Sequence, residues 1–558
     1  MDRVWLNEYP GSVPYHLFLN PDETLVSLYE ESCRKHAHKP AFTCQGVTLN
    51  YAETHRASTR FATYLQQELK LKPGDRVAIM LPNILQYPVA LFGILQAGCV
   101  VVNLNPLDKA RSLEYELTSS EAKAIVVSEN FVSELRLIVD QTKLEKIIIT
   151  SVGALYSPLK RWIVNFVVRH IKKMVPAWHH PKSIRFRRAL HLGHHHTLYP
   201  MDIKSTDLAF LQYTGGTTGV AKGVELTHAN MVANAHQCGT WISKYLVHKR
   251  EAVITALPLY HVFSLMANCL VFVLIGGENV LIPNPRDIKG FIKTLRHTYF
   301  TGITGVNTLF NALLHNPNFK KCNFKHLTIT LGGGMAVQKV VADQWYHVTG
   351  SVLCQGYGLT ESSPVVTIGR FDRPYNGSIG LPVPLTDISI QDAEGHMLPV
   401  GEQGELCVKG PQVMRGYWRD SEATQKVLTK EGWLRTGDIA YIDAKGYTYI
   451  VDRLKDIVIV SGFKVCSIEV EEVISQLAGI KEVAIIGVPD PDHGEVVKAY
   501  VSLVPKAQLT EKDIIDYCRQ KLLAYKVPKH VEIRDDLPKS NVGKILKKTL
   551  REALVQKS

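Results

Sequence analysis

Between Tyr213 and Gly223 the chain reads YTGGTTGVAKG, and the residue types in this run share one chemistry. Gly215, Gly216 and Gly219 free the backbone to turn its N–H groups toward a single point. The hydroxyls of Thr214, Thr217 and Thr218 add donors there, and Lys222 adds a positive charge at the end of the run. Donors and charge aimed at one spot hold phosphate oxygens. The run is not a Walker loop, which places its lysine directly after the last glycine and a Ser or Thr after that. A Gly/Thr turn also occurs as plain structure, so the rest of the chain has to decide.

The apolar run 208–213 (LAFLQY) ahead of this turn predicts a buried strand ending in it. Residues 1–130 alternate helical patterns (30–36, 51–69) with buried-strand patterns (76–81, 100–104, 124–128), which argues for an α/β layer structure with mostly parallel strands. After the turn, 224–248 predicts a helix entered at Thr227 and His228, and 252–257 a strand leading into PLYHVF. Residues 302–314 predict an apolar loop and helix, suited either to a substrate wall or to plain core. A strand at 327–331 ends in Gly332, Gly333 and Gly334, where a flat ligand can approach backbone. Another, 352–358, closes with Tyr357, Gly358, Leu359, Thr360 and Glu361. From Pro382 the texture changes to short strands punctuated by glycine (387–391, 404–409, 447–451), which predicts a small distorted β-barrel. The charged run DRLKD at 452–456 marks a boundary, and beyond it lies a compact α+β pattern with a basic tail. The expected architecture is therefore α/β: a large N-terminal domain (1–451) of α/β layers plus a distorted barrel, a hinge at 452–456, and a small mobile α+β C-terminal domain (457–558).

The 558 residues are 46% hydrophobic and 21% charged, enough for a large core in more than one domain. Ten cysteines occur singly with no CxxC pair, the usage of a reduced cytoplasmic chain without disulfides or a structural zinc site. Asp2, Glu8 and several early prolines give no leader pattern, and no apolar run is long enough to cross a bilayer. The net charge of +12 is local: residues 146–201 hold ten Lys/Arg and no carboxylate, and without those ten the charge is +2. A diffuse nucleic-acid-binding surface is excluded on that ground. Within this interval, 160–175 (KRWIVNFVVRHIKKMV) is amphipathic as a helix. Arg161, Asn165, Arg169, Lys172 and Lys173 share one side; Ile163, Phe166, Val167, Ile171 and Met174 share the other, with Trp162 near the border. Such a helix suits an anionic membrane surface, or a surface position with its apolar face packed on its own domain. The run GHHH at 193–196 reads as a solvated loop.

Six strings in order, 213–223 (YTGGTTGVAKG), 258–262 (PLYHV), 355–364 (QGYGLTESSP), 432–438 (GWLRTGD), 452–456 (DRLKD) and 538–544 (PKSNVGK), resemble the adenylate-forming superfamily of acyl-CoA synthetases, luciferases and adenylation domains. Within it they are most similar to bacterial long-chain fatty acyl-CoA synthetases. The resemblance implies a ligase that joins a fatty acid to the α-phosphate of ATP and passes the acyl group to coenzyme A. It assigns the turn residues 213–219 and Lys222 to the β- and γ-phosphates, and Glu361, after Thr360, to Mg²⁺. Tyr357, with Gly358, would stack on adenine, and Gly333 and Gly334 would admit its edge. Asp438 and Arg453 would hold ribose, His261 would lie beside the acyl carboxylate, and Lys544 would neutralise carboxylate and α-phosphate during adenylation. Rotation of the small domain about Lys455 would then withdraw Lys544 and bring in Gly462 and Lys464 for the CoA step.

The chain departs from the pattern in two places. Val220-Ala221 stands where many relatives have a proline before the lysine, and Val465-Cys466-Ser467 lacks an expected proline, which leaves the CoA contacts there open. The expected partners are fatty acid, ATP and CoA, membrane lipid through residues 160–188 at the inner face of the cytoplasmic membrane, and a second copy as a homodimer. The rival readings are an acyl-AMP ligase serving a carrier protein and a membrane-surface binding protein without catalysis.

Overall fold

The computed structural model describes residues 3–214, 221–540 and 543–555. Its larger part is built on two sheets with parallel cores. One is nine-stranded; its parallel core runs Leu353–Gly358, Ile329–Gly332, Gly302–Gly305, Ala252–Thr255, Glu278–Leu281 and Pro40–Cys44. The other is eight-stranded and contains Leu208–Thr214, Val100–Asn103, Arg76–Met80, Ala124–Ser128 and Lys146–Thr150. Strands such as Ala124–Ser128 and Val100–Asn103 are buried at every position, as apolar runs covered on both faces must be.

Two of the helices beside these sheets begin at caps the sequence supplies. Asn50 accepts from the Glu53 N–H at 2.7 Å to start Tyr51–Thr63, and Thr227 accepts from Asn230 N–H at 3.1 Å to start His228–Ser243. Helix Tyr51–Thr63 lies close against Gln86–Gln96 because Gly93 faces Ser58 and Phe61: a Cβ there would sit 2.8 Å from the Ser58 carbonyl oxygen.

Two local expectations change. Residues 222–227 form a strand antiparallel to Leu208–Thr214 in a hairpin, so 224–226 are strand, while the helix is entered at Thr227 and His228 as expected. Residues 302–305 form a parallel strand rather than a loop. The helix after it, Asn307–Leu314, turns Phe310 and Leu313 into the core, where Phe310 meets Trp345 edge-on at 4.8 Å.

The glycine-punctuated region forms an antiparallel four-stranded sheet, Asp387–Gln391, Gly404–Lys409, Leu434–Ile442 and Thr448–Arg453, joined to the nine-stranded sheet by a Gly380–Thr448 bridge. Beyond it, a small α+β body with its own core carries a five-stranded sheet. The basic tail supplies its parallel edge strand His530–Arg534 and the helix Lys547–Val555.

The amphipathic segment is helix Pro158–Phe166, continued by a wider turn through Val167–Ile171. Part of its polar side meets the protein: Asn165 Oδ1 accepts from Gly153 N–H at 3.1 Å and Arg169 pairs with the buried Glu129 at 2.8 Å, while Lys172 and Lys173 are exposed; Lys160, which falls outside that side, donates to the Gln45 carbonyl at 2.5 Å. Its apolar side faces outward, with Trp162 65%, Ile171 66% and Met174 51% exposed. The histidines of the 194–196 turn are exposed, and His196 contacts Glu68 at 2.9 Å.

Candidate active site

Strand register brings the first group together. Asp438 and Arg453 are direct partners across the ladder between Leu434–Ile442 and Thr448–Arg453, and Arg453 Nε lies 3.1 Å from Asp438 Oδ1. The other carboxylate oxygen accepts from the Tyr357 hydroxyl at 2.6 Å. Asp438 is buried, and Tyr357, at the end of Leu353–Gly358, is pushed far above the usual phenol range by burial and by Asp438. Burial alone would weaken the Arg453 charge, but Asp438, Tyr357, Asp456 and Glu361 together hold it firmly protonated.

A second group lies at the hairpin. Thr214 and Lys222 are partners in its last described rung, and residues 215–220, the expected phosphate-binding turn with Gly215, Gly216, Thr217, Thr218 and Gly219, lie outside the described residues. Lys222 Nζ sits 4.9 Å above the Tyr417 ring, and the Tyr417 hydroxyl donates to Glu361 Oε1 at 2.8 Å. Glu361 lies in the short turn Thr360–Ser362, and its carbonyl accepts from Met414 N–H at 2.8 Å. Tyr417 therefore ties the lysine to the carboxylate. Sequence reasoning missed it; the only local signal was the aromatic pair in RGYW at 415–418.

The third group crosses from the small body. Gly543, at φ +85°, lets its loop turn back, and its carbonyl accepts from Thr308 Oγ1 at 3.2 Å on helix Asn307–Leu314. A Cβ at Gly543 would lie 2.8 Å from that same hydroxyl, so glycine is required for both the turn and the close approach. The next residue, Lys544, has its ammonium pKa lowered to about 8 by burial and then by Arg453, against the opposing pull of Asp438. His261 is lowered to about 4 by burial and by Lys544, and its Nδ1 accepts from Phe263 N–H at 3.4 Å. The imidazole is neutral at pH 7 and faces the lysine's charge.

The other expected positions divide. Lys455, lowered by burial and by the Arg453 charge, belongs with this cluster. At Gly333 a Cβ would crowd the Phe263 ring and the Gly356 carbonyl, and Gly334 takes φ +75°, a conformation that favours glycine. Gly358 is glycine for a packing reason: a Cβ there would be 1.8 Å from the Pro364 carbonyl oxygen. Gly462 and Lys464 stand apart, exposed on the hairpin of Val458–Val460 and Phe463–Val465.

The sequence matches the model of the AMP-binding enzyme over residues 29–418 and that of the AMP-binding enzyme C-terminal domain over residues 469–544. The chain belongs to the AMP-binding enzyme family. A long-chain-fatty-acid–CoA ligase of Escherichia coli O6:H1 (strain CFT073) is 51% identical over 555 residues, covering 99% of this chain and 98% of that relative. A long-chain-fatty-acid–CoA ligase of Bacillus subtilis (strain 168) is 37% identical over 557 residues, covering 99% and 98%. Among solved structures, ATP-bound MatB from Rhodopseudomonas palustris superposes with a TM-score of 0.82 at 27% identity, covering 95% of this chain and 99% of that one. Seen as an AMP-binding enzyme, the chain places its three groups in sequence: a buried Tyr–Asp–Arg unit, a Lys–Tyr–Glu unit, and a lysine delivered by the C-terminal domain.

Proposed function

We propose that this AMP-binding enzyme is a long-chain fatty acid–CoA ligase that converts fatty acid, ATP and CoA to acyl-CoA, AMP and pyrophosphate through an acyl-adenylate. The observation that carries the reading is the near-complete alignment, at about half identity, with long-chain-fatty-acid–CoA ligases. The Asp438–Arg453 ion pair, whose charges bear on Lys544, supports it.

In this reading Tyr357 covers the adenine while Asp438 and Arg453 hold the ribose. One oxygen of Asp438 accepts from the Tyr357 hydroxyl and the other forms an ion pair with Arg453, and each keeps a lone pair for a ribose hydroxyl. Thr214 and Lys222 hold the outer phosphates. Glu361 would hold Mg²⁺, since one fixed carboxylate beside phosphate oxygens is a donor set this ion takes; when bound, the ion neutralises phosphate charge. The fatty acid carboxylate oxygen attacks the α-phosphorus and pyrophosphate departs with the electron pair of the broken P–O bond. Lys544 screens the two anions as they meet, and the neutral His261 beside it adds no competing charge.

The thiol sulfur of CoA then attacks the acyl carbon, and AMP leaves. For this step the small domain (457–558) turns about 452–456, with Lys455 as pivot, so that Lys544 retreats and the Gly462–Lys464 hairpin takes its place. The gap between the two family matches, which contains 452–456, supports a boundary there. Residues 160–188 make peripheral contact with lipid at the inner face of the cytoplasmic membrane, a reading supported by the outward apolar side of helix Pro158–Phe166. No helix among the described residues is long and apolar enough to span a membrane.

The test is to incubate the purified protein with Mg²⁺, ATP and oleate, with and without CoA. AMP formation that turns over only with CoA is expected. ADP as product, or turnover only with an acyl carrier protein, would overturn the reading.

A further inference from the structure

A cavity of about 320 Å³ lies beside the hairpin, lined by Tyr213 and by Lys222 with Gly223, the residues that bracket 215–220. Its other walls are the end of helix Ala110–Ser120 and residues Tyr417–Asp420. Ser119 Oγ and the Tyr213 hydroxyl share a 2.6 Å hydrogen bond across it. The mechanism above uses neither the helix end nor Arg419.

Cations outnumber carboxylates at this cavity: Lys222 and Arg419 line it with one acid, Asp420. Arg419 pairs with Glu121 at 2.8 Å, and the same carboxylate takes Lys143 at 2.7 Å and Arg76 at 3.1 Å. Three cations on one carboxylate leave +2. Lys143 and Arg419 hold the Glu121 carboxyl down at about 2, so the cluster keeps this charge throughout the neutral range. Asp420 caps helix Ser421–Val427 through the Ala423 N–H at 2.9 Å, and its negative charge offsets one of the cations at the wall. Arg419 and Arg76 stand 5.0 and 5.8 Å from the centroid of the Trp418 ring, which lines the cavity with Lys222 and Arg419. A cationic rim, hydroxyl donors and a volume at the small end of ligand pockets suit a compact polyanion and not a whole nucleotide.

We propose that this cavity is the release site of inorganic pyrophosphate, which passes from Lys222 to the Arg419 cluster after acyl-adenylate forms. The proposal rests on the adenylation reading. No bond is made or broken in the transfer; the diphosphate exchanges one cationic partner for another and then enters solvent. The phosphates of CoA share this chemistry, so the experiment separates the two sources.

Full-length Arg419→Gln and Arg419→Lys are compared with the unaltered enzyme for three quantities: inhibition by pyrophosphate against ATP, the KM for CoA, and single-turnover formation of acyl-adenylate. In Arg419→Gln the pyrophosphate inhibition constant should rise about tenfold, the scale of one charge-assisted hydrogen bond, and its dependence on salt should flatten. Arg419→Lys should recover most of the loss. Lys143→Gln, across Glu121 from Arg419, should give a smaller rise by removing charge without touching the cavity wall. An unchanged inhibition constant in Arg419→Gln would overturn the proposal. A raised CoA KM in its place would assign the cavity to CoA. Loss of acyl-adenylate formation with unchanged inhibition would make Arg419 a support of the hairpin only. If the unaltered protein released no pyrophosphate at all, the fault would lie in the adenylation reading itself.

Discussion

The Tyr357 hydroxyl and the Asp438 carboxylate form a 2.6 Å hydrogen bond in a buried setting, so the ring expected under adenine and the acceptor expected under ribose move as one unit. Removing the hydroxyl frees an Asp438 oxygen, leaves the ring in place, and lets the carboxylate swing on its remaining contact with Arg453. Tyr357→Phe should therefore raise the KM for ATP by about tenfold, the scale of one hydrogen bond to a buried charge, with a smaller effect on kcat. Initial rates at varied ATP measure this. A loss confined to kcat would place Tyr357 in the chemistry instead of nucleotide binding.

Lys544 reaches the cluster only because the Gly543 loop docks on Thr308. Lys544→Ala should slow acyl-adenylate formation by at least ~10²-fold, the scale of removing a preorganised charge donor, while sparing thioester formation from supplied acyl-adenylate. Rapid quench of each half-reaction decides. Equal damage to both would count against a small domain that rotates between two tasks.

The parts of the site legible in the sequence are those whose chemistry is local. The Gly/Thr turn, the glycines at 333 and 334 and the PKSNVGK loop stand out as contiguous strings, and the family resemblance gives them their expected roles. Contacts that depend on register or on a remote strand do not. Nothing near Glu361 foretells that Tyr417 will hold its carboxylate, and the Asp438–Arg453 pairing follows from two strands meeting rung for rung. The segment at 160–175 shows the same limit: periodicity divides its residues into two faces, but only Glu129 and Gly153 decide that Arg169 and Asn165 of the polar face turn inward. The strand His530–Arg534 was hidden because its pairing partner lies in the middle of the small domain's sheet.

The depressed Lys544 pKa predicts a pH limb. The charged ammonium is the useful form, and above about pH 8 the free enzyme progressively loses it. Adenylation, followed as kcat/KM for ATP, should fall about tenfold per pH unit above that point. Thioester formation should instead rise there, because the CoA thiolate becomes more abundant. His261, held near 4, adds no limb between pH 5 and 8. A pH-independent adenylation rate from 7 to 10 would refute the assignment.

The outward apolar face of helix Pro158–Phe166 can be changed without touching the core, since Ile163 and Phe166 are already exposed. The double variant Ile163→Asp, Phe166→Asp should keep its thermal stability within about 0.5 kcal/mol, as surface changes do. Its binding to anionic phospholipid vesicles should fall by more than about tenfold, because inserting an apolar side chain is worth roughly 1.5–3 kcal/mol. Vesicle co-sedimentation reads the effect. Undiminished binding would mean that the flanking charges, not this face, carry the contact.

Glu116 makes a prediction about stability rather than turnover. It is buried on helix Ala110–Ser120, its Oε2 has no hydrogen-bond partner among the described residues, and burial raises its pKa to about 8, with Asp108 adding to the rise. The folded chain therefore holds a proton here that the unfolded chain releases near the ordinary carboxylate pKa. Its contribution is fully present below that value and is lost as pH rises to about 8, with a slope of up to about 1.4 kcal/mol per pH unit. Glu116→Gln keeps the shape and removes the titration, so it should raise Tm at pH 8 relative to the unaltered chain and differ little from it at pH 4.5. Parallel melting curves for the two proteins across that range would exclude a neutral Glu116 in the fold.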